Sequence, residues 1–278
     1  MENTGAVKPR IFIRPSRGWV AIDFKELWRY RELLLALTVR DIKIRYKQTF
    51  FGVTWAIFKP FVTMVVFSLF FGKMMKVETA GVPYPIFSYS GLLLWQYFSQ
   101  AIENAGNSLN TSENLIKKIY FPRLIIPMSS TFAGLLDYAI AGLVLLGMMV
   151  YYRYPVTANL LLLPLSLLLT WLLAIGVGLW FSALNVEYKD IRHALPFFIQ
   201  IGLFISPVIY PGSLLGKYQW VGAINPMTGL IEAHRAAFLG GAGANPSALL
   251  FSFAITILFL FSGLYYFRRM ERTFADIL

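Results

Sequence analysis

Three ionisable side chains, Lys59, Glu103 and Asp137, fall inside long apolar stretches of the chain. Charge at membrane depth is costly, so each marks a functional hypothesis by default. Lys59 and Glu103 stand toward the ends of their stretches, where a side chain can reach the interface. Asp137 stands nearest the middle of its own. A single acid is thin material for a proton relay, and it reads first as one side of a structural hydrogen bond or ion pair. Nucleotide chemistry has no support, because neither G-x-x-x-x-G-K-[ST] nor G-x-G-x-x-G occurs. H-E-x-x-H and G-x-S-x-G are missing too, which leaves a membrane protease or lipase without a motif. There is no Cys and there are two His, so a Cys- or His-rich metal site is excluded. We expect no catalytic residue, metal or cofactor in this chain, which is not read as an enzyme.

Aromatic side chains are the other candidate chemistry, at 17% of residues. Trp95, Tyr97, Phe98, Phe204 and Tyr210 belong to a group that falls toward one end of the apolar stretches. The belt of rings at a membrane–water boundary accounts for most such residues. The alternative is a set of ring faces against which the C–H-rich face of a pyranose can slide. Trp95 and Phe98 are three residues apart and share a helix face, whereas Tyr97 lies elsewhere.

These residues need apolar elements to carry them. Of 278 residues, 57% are hydrophobic and 14% charged, against roughly 25% charged in soluble domains. Mean hydropathy is +0.60. A soluble globular enzyme and a disordered chain are thereby excluded. The expected class is all-α: a polytopic membrane protein with six transmembrane helices, an N-terminal amphipathic interface helix and short external re-entrant helices. The six candidate spans are 53–72, 86–106, 125–152, 159–184, 194–210 and 247–267, each near the length of about 20 residues that a bilayer demands. Pro60 should kink the first. Pro211-Gly212 follows the fifth as a turn signal. Gly176-Val177-Gly178 reads as close helix packing. The polar and basic first 50 residues predict no removable signal peptide.

Charge orients the spans. The net charge is +11, which in so apolar a chain points to basic membrane flanks rather than to nucleic acid. With both termini cytoplasmic, 20 of the 25 Lys and Arg fall inside and 5 outside. Multi-pass insertion with both termini cytoplasmic is therefore expected.

Outside the spans, residues 1–18 read as a cytoplasmic arm. Residues 19–52 carry the interface helix, with Phe24, Leu27, Trp28, Leu35 and Ile42 at helical spacing over 19–46. Arg31 interrupts that stripe and can divide the helix in two. The helix is either an anchor or a lever on the first span. A short cytoplasmic helix is expected over 112–121, capped by Ser112 or Thr111, with Glu113 in its first turn and Pro122 after its end. It is either a tight turn or a knob for a partner. Residues 53–278 form the transmembrane domain. Within it, about 212–240 is too long for a turn and too apolar for a solvated loop, and reads as re-entrant helices beside a pathway.

Three ordered motifs carry a family resemblance over most of the chain, from about residue 25 to the end. The first is Arg40-Asp41-Ile42-Lys43-Ile44-Arg45-Tyr46-Lys47 leading to Gly52-Val53-Thr54-Trp55 and Lys59-Pro60. The second is Tyr188-Lys189-Asp190-Ile191-Arg192-His193 leading to Ser206-Pro207-Val208-Ile209-Tyr210-Pro211. The third is Asn225-Pro226-Met227-Thr228-Gly229-Leu230-Ile231-Glu232-Ala233-His234-Arg235. Together they resemble the membrane permeases of ATP-binding-cassette exporters for O-antigen, capsule and teichoic acid, most of all the O-antigen branch.

The resemblance implies a half-transporter in the bacterial inner membrane. It implies a homodimer with two copies of a separate ATPase subunit, which would hold the ATP and Mg2+. The cargo would be a polysaccharide on undecaprenyl diphosphate. Glu113, Asn114, Leu115, Ile116, Lys117 and Lys118 would couple to the ATPase, and Asn225, Pro226, Glu232 and Arg235 would belong to an external gate. A channel between the copies, beside the first and fifth spans, would draw on Trp95, Tyr97, Phe98, Phe204 and Tyr210. Arg40, Lys43, Arg45 and Lys47 are candidates for the lipid pyrophosphate, with ordinary contact to anionic membrane lipid as the equal alternative. The competing readings are an exporter subunit for a drug or small lipid, an ion-coupled secondary transporter, and a membrane enzyme acting on lipid-linked sugars. The last two want charged networks, internal repeats or paired acids, and the chain offers none of these.

Overall fold

The computed structural model describes residues 24–47, 52–79, 81–212, 214, 222, 224–240 and 245–277. The arm over 1–18 and most of 213–223 lie outside the described residues. Those described are helical or irregular, with no strand among them.

Two helices open the described chain, α1 (Phe24–Arg29) and α2 (Arg31–Lys47), divided by a turn at Tyr30. α2 packs along α6 (Ile125–Tyr151). Asp41 receives the Ser129 hydroxyl at 3.5 Å, and Arg45 reaches Asp137, near the middle of α6. The expected stripe is shared between two sides. Leu27 packs inward, whereas Trp28 and Leu35 are 70% and 63% exposed.

α3 (Thr54–Phe67) runs through Pro60 without a break in the helix and then widens into π turns over Ser68–Met74. Gly72 permits that ending, because a Cβ there would stand 3.1 Å from the Tyr84 ring. α4 (Tyr84–Thr111) starts two residues before the expected span, since Pro83 and Pro85 pre-set the helix entry. It is the hub, meeting α3, α6, α7 (Leu162–Glu187), α8 (Ile191–Ile205) and α9 (Pro226–Leu239).

Among the described residues, four helices are long and apolar enough to cross a membrane: Thr54–Met74, Ile125–Tyr151, Ala158–Glu187 and Pro246–Met270, the last being α10. α4 has 28 residues and so reaches about 42 Å, enough to cross, but it is richer in polar residues. α8 has 15 residues, or about 22 Å against a hydrocarbon core of about 30 Å. It stops at Ile205 rather than at Tyr210, because Pro207 drives Ser206 into an extended conformation (ψ 143°).

Helix crossings are close where glycines meet. A Cβ on Gly263 of α10 would lie 2.2 Å from the Gly176 carbonyl oxygen of α7, and one on Gly178 would lie 2.7 Å from Ala105 of α4. One apolar cluster joins α4, α6, α7 and α9. A second gathers Leu37, Ile116, Ile125, Val186, Phe267 and Phe274. The second brings α2, the short helix α5 (Glu113–Lys118) and the C-terminal α11 (Phe274–Ile277) to one end of the bundle.

Candidate functional site

Behind α3, a cavity of about 490 Å3 opens between α2, α3, α4 and α6. Lys59, Glu103 and Asp137, scattered over three helices, all line it. At its deep wall Asp137 is 8% exposed and accepts hydrogen bonds from the Arg45 guanidinium and the Tyr46 hydroxyl. A buried carboxylate requires such partners. Beside it the Tyr97 and Tyr138 rings meet edge to face at 6.0 Å, and the Tyr138 hydroxyl bonds His234 Nε2 at 2.7 Å. Trp55, Ala56 and Lys59 of α3 line it as well.

Gln96, Ser99, Gln100 and Glu103 of α4 supply further polar lining, alongside Gly52, Leu93 and Ala141. The spacing of the four polar residues places them on one face of the helix. That polar stripe is legible in the sequence, and it is the signal that the reading of single charges overlooked.

The candidate pathway aromatics separate in the structure. Trp95, Tyr97 and Phe98 are buried inside the bundle at 6%, 2% and 9% exposure. Trp95 lies on α8, where a Cβ on Gly202 would come within 2.8 Å of its ring. Phe204 is exposed, and the Tyr210 hydroxyl donates to its carbonyl at 2.7 Å, closing the end of α8. Phe197, Phe198, Ile201 and Ile205 extend that exposed face of α8, and Trp55, Phe58, Phe61 and Val62 expose a face of α3.

Of the four basic candidates, Arg45 is committed to Asp137. Arg40 pairs with Asp41 at 2.9 Å and reaches the Ser112 hydroxyl at 3.5 Å, while Lys43 and Lys47 are exposed. The Ser112 side chain therefore serves Arg40 and makes no cap on α5, and α5 ends at Lys118, short of the expected Phe121. Within α5, Ile116 is buried and Leu115 half-buried against the second cluster. Asn114, Lys117 and Lys118 face outward, with Glu113 half-buried and bonded to Lys117 at 2.6 Å. Ile119 and Tyr120, 57% and 68% exposed, carry the apolar surface there.

The gate candidates join two of the sequence motifs. The Asn225 side chain accepts from Met227 N at 2.9 Å, capping α9, and donates to the Ser206 hydroxyl at 2.7 Å. Pro226 takes the first helical position, where its missing N–H costs nothing. Arg235 is buried and donates to the carbonyls of Phe87, Pro207 and Val208, with its guanidinium 3.7 Å from the Phe87 ring centre. Glu232 is half-buried beside Gly212. Asn225 and Arg235 thus hold the break after α8 to the start of α4. Gly91 makes room for this, since a Cβ there would fall 2.5 Å from the guanidinium.

Residues 32–239 match the family model of ABC-2 type transporters. The chain is similar to the O-antigen export system permease protein RfbA of Myxococcus xanthus, at 27% identity over 91% of this chain and 97% of that one. It is similar to the protein of the same name from Klebsiella pneumoniae, at 26% identity over 89% of this chain and 95% of that one. It is also similar to the polysialic acid transport protein KpsM of Escherichia coli, at 26% identity over 85% and 92%.

Proposed function

The chain belongs to the ABC-2 type transporter family, and from that premise we propose that it is the permease subunit that carries a lipid-linked polysaccharide outward across the bacterial inner membrane. O-antigen on undecaprenyl diphosphate is the cargo that fits best. The observation that carries the reading is the near end-to-end likeness to O-antigen export permeases. Capsular polysaccharide is the second reading, because the polysialic acid transport protein matches almost as much of the chain.

The work is divided between subunits. This chain offers no phosphate-binding loop, so ATP and Mg2+ belong to a separate ATPase present in two copies. Two permease copies would meet through the exposed apolar faces of α3 and α8. Large apolar faces call for lipid or a partner. The surface of α5 with Ile119 and Tyr120 would meet the ATPase. Six crossings are proposed, with α4 and α8 completing the four plainly apolar ones. The gathering of α2, α5 and α11 at one end supports a common, cytoplasmic side for both termini. The 20-to-5 distribution of cations supports the same side.

Deletion of the gene in its host is the test. Polymer should disappear from the cell surface, and lipid-linked polymer should collect on the cytoplasmic face of the inner membrane. Unchanged surface polymer would overturn the reading.

A further inference from the structure

We propose that the cavity between α2, α3, α4 and α6 is a recognition subsite for an uncharged sugar unit. This rests on the polysaccharide-export reading and deepens it, because it assigns one protomer's internal cavity to the glycan rather than to the diphosphate.

The lining decides between the two. Arg45 and Lys59 face Glu103 and Asp137, so the formal charges balance. Arg45 is already bonded to Asp137. A diphosphate needs converging unpaired cations and bidentate guanidinium contacts, and here two carboxylates share the lining with the two cations. A neutral sugar needs something else: donors and acceptors in alternation, with a ring for its C–H face. Gln96 and Gln100 each supply both donors and an acceptor. Glu103 accepts, Lys59 donates, and Trp55 contributes an aromatic surface. The volume, about 490 Å3, lies in the range of small-molecule sites, roughly 300–1,000 Å3.

An independent observation points to a ligand. Tyr97 lines the cavity and is 2% exposed, yet its hydroxyl has no hydrogen-bond partner among the described residues. A buried hydroxyl left alone carries a desolvation cost, which a sugar hydroxyl in the cavity would remove once the ring shifts to meet it. Tyr138, its neighbour, has no such deficit, because His234 satisfies it.

The chain has no Cys, so a single reporter thiol can be placed in the cavity by Ser99→Cys. The full-length variant in membrane vesicles would be labelled with a water-soluble maleimide. Methyl glycosides of glucose, galactose, mannose, rhamnose and N-acetylglucosamine would be tested as protectants, with inorganic pyrophosphate as the anionic arm and glycerol as control. At least one glycoside should slow labelling, and pyrophosphate should not. Adding Tyr97→Phe should weaken that protection about fivefold, the value of one hydrogen bond. Adding Gln100→Met should weaken it further, with Gln96→Met as the substitute if that variant fails to insert. A thiol that does not label, a lack of protection by every glycoside, protection by pyrophosphate at lower concentration, or protection unchanged by Tyr97→Phe would each overturn the inference. Surface polymer measured in the host strain keeps the two readings apart, since export can persist while the cavity ignores sugars.

Discussion

Arg45 changes meaning once its neighbours are known. By sequence it is one of four cations in a basic run, free to meet phosphate. In the structure it satisfies Asp137, a carboxylate that burial would otherwise penalise. Tyr46 reaches the same carboxylate, so two consecutive residues of α2 serve one acid on α6. Arg45→Met removes a charge-assisted hydrogen bond and should cost about 1.5–3 kcal/mol. Arg45→Met combined with Asp137→Leu removes both charges and should recover much of that loss. Thermal unfolding of the purified protein in detergent measures both. Equal melting temperatures for wild type and Arg45→Met would show that the pair contributes nothing. Arg235 shows the same effect of context. Counted among the few cations on the outer side, it is a buried fork that three carbonyls occupy.

At the scale of elements, α5 separates folding from docking. Its apolar residues look alike in sequence, Leu115 and Ile116 beside Ile119 and Tyr120. The helix turns the first pair toward Leu37, Leu109 and the rest of the second cluster, and the extended residues after it turn the second pair outward. Ile116→Asp should therefore lower the yield of folded, inserted protein, because it buries a carboxylate without a partner. Ile119→Asp with Tyr120→Asp should leave that yield unchanged and reduce the ATPase subunit recovered with the permease several-fold, about 1 kcal/mol or more of interface energy. Co-purification normalised to inserted permease separates the two. Full ATPase recovery with the double substitution would remove this surface from the interface. α4 teaches a related lesson. Its polar stripe weakens it as a membrane span by composition, yet that stripe is what faces the cavity.

For the molecule as a whole, the arrangement of ends is the testable matter. Asn114 is exposed on α5, and Val156, in the connection between α6 and α7, is 73% exposed. As single introduced thiols, Val156→Cys should react with an impermeant maleimide in spheroplasts, and Asn114→Cys should react only after permeabilisation. The reverse pattern would invert the molecule. α2 lines the cavity through Arg45 and Tyr46, so the shape of that space depends on where α2 stands. α2 is held to α6 by the Arg45–Asp137 pair and to the α4–α5 corner by Arg40 and Ser112. The reading of 19–46 as an anchor or a lever on the first span left its neighbour open, and the contacts with α6 come from the structure alone.

Hydropathy and charge are properties of segments, and segments could be read from sequence. That is why the apolar stretches, the helix after residue 112, the two-part division of the N-terminal helix and the membrane class were legible. Motif order was legible as well, and with it the family. Distances between helices are not a segment property. Nothing in the spacing of Lys59, Glu103 and Asp137 says that three separate helices bring them to one cavity. Nor does spacing say which face of α4 meets α8, so Trp95 could be placed on a face but not against Gly202. Asn225 and Arg235 were visible as a motif, whereas their purpose, holding Ser206, Pro207 and Val208 against the start of α4, depends on contacts between residues far apart in the chain. Local physics chose the helices. The packing of side chains between them, glycine against glycine at 176 and 263 and acid against base at 137 and 45, decided where the polar space lies.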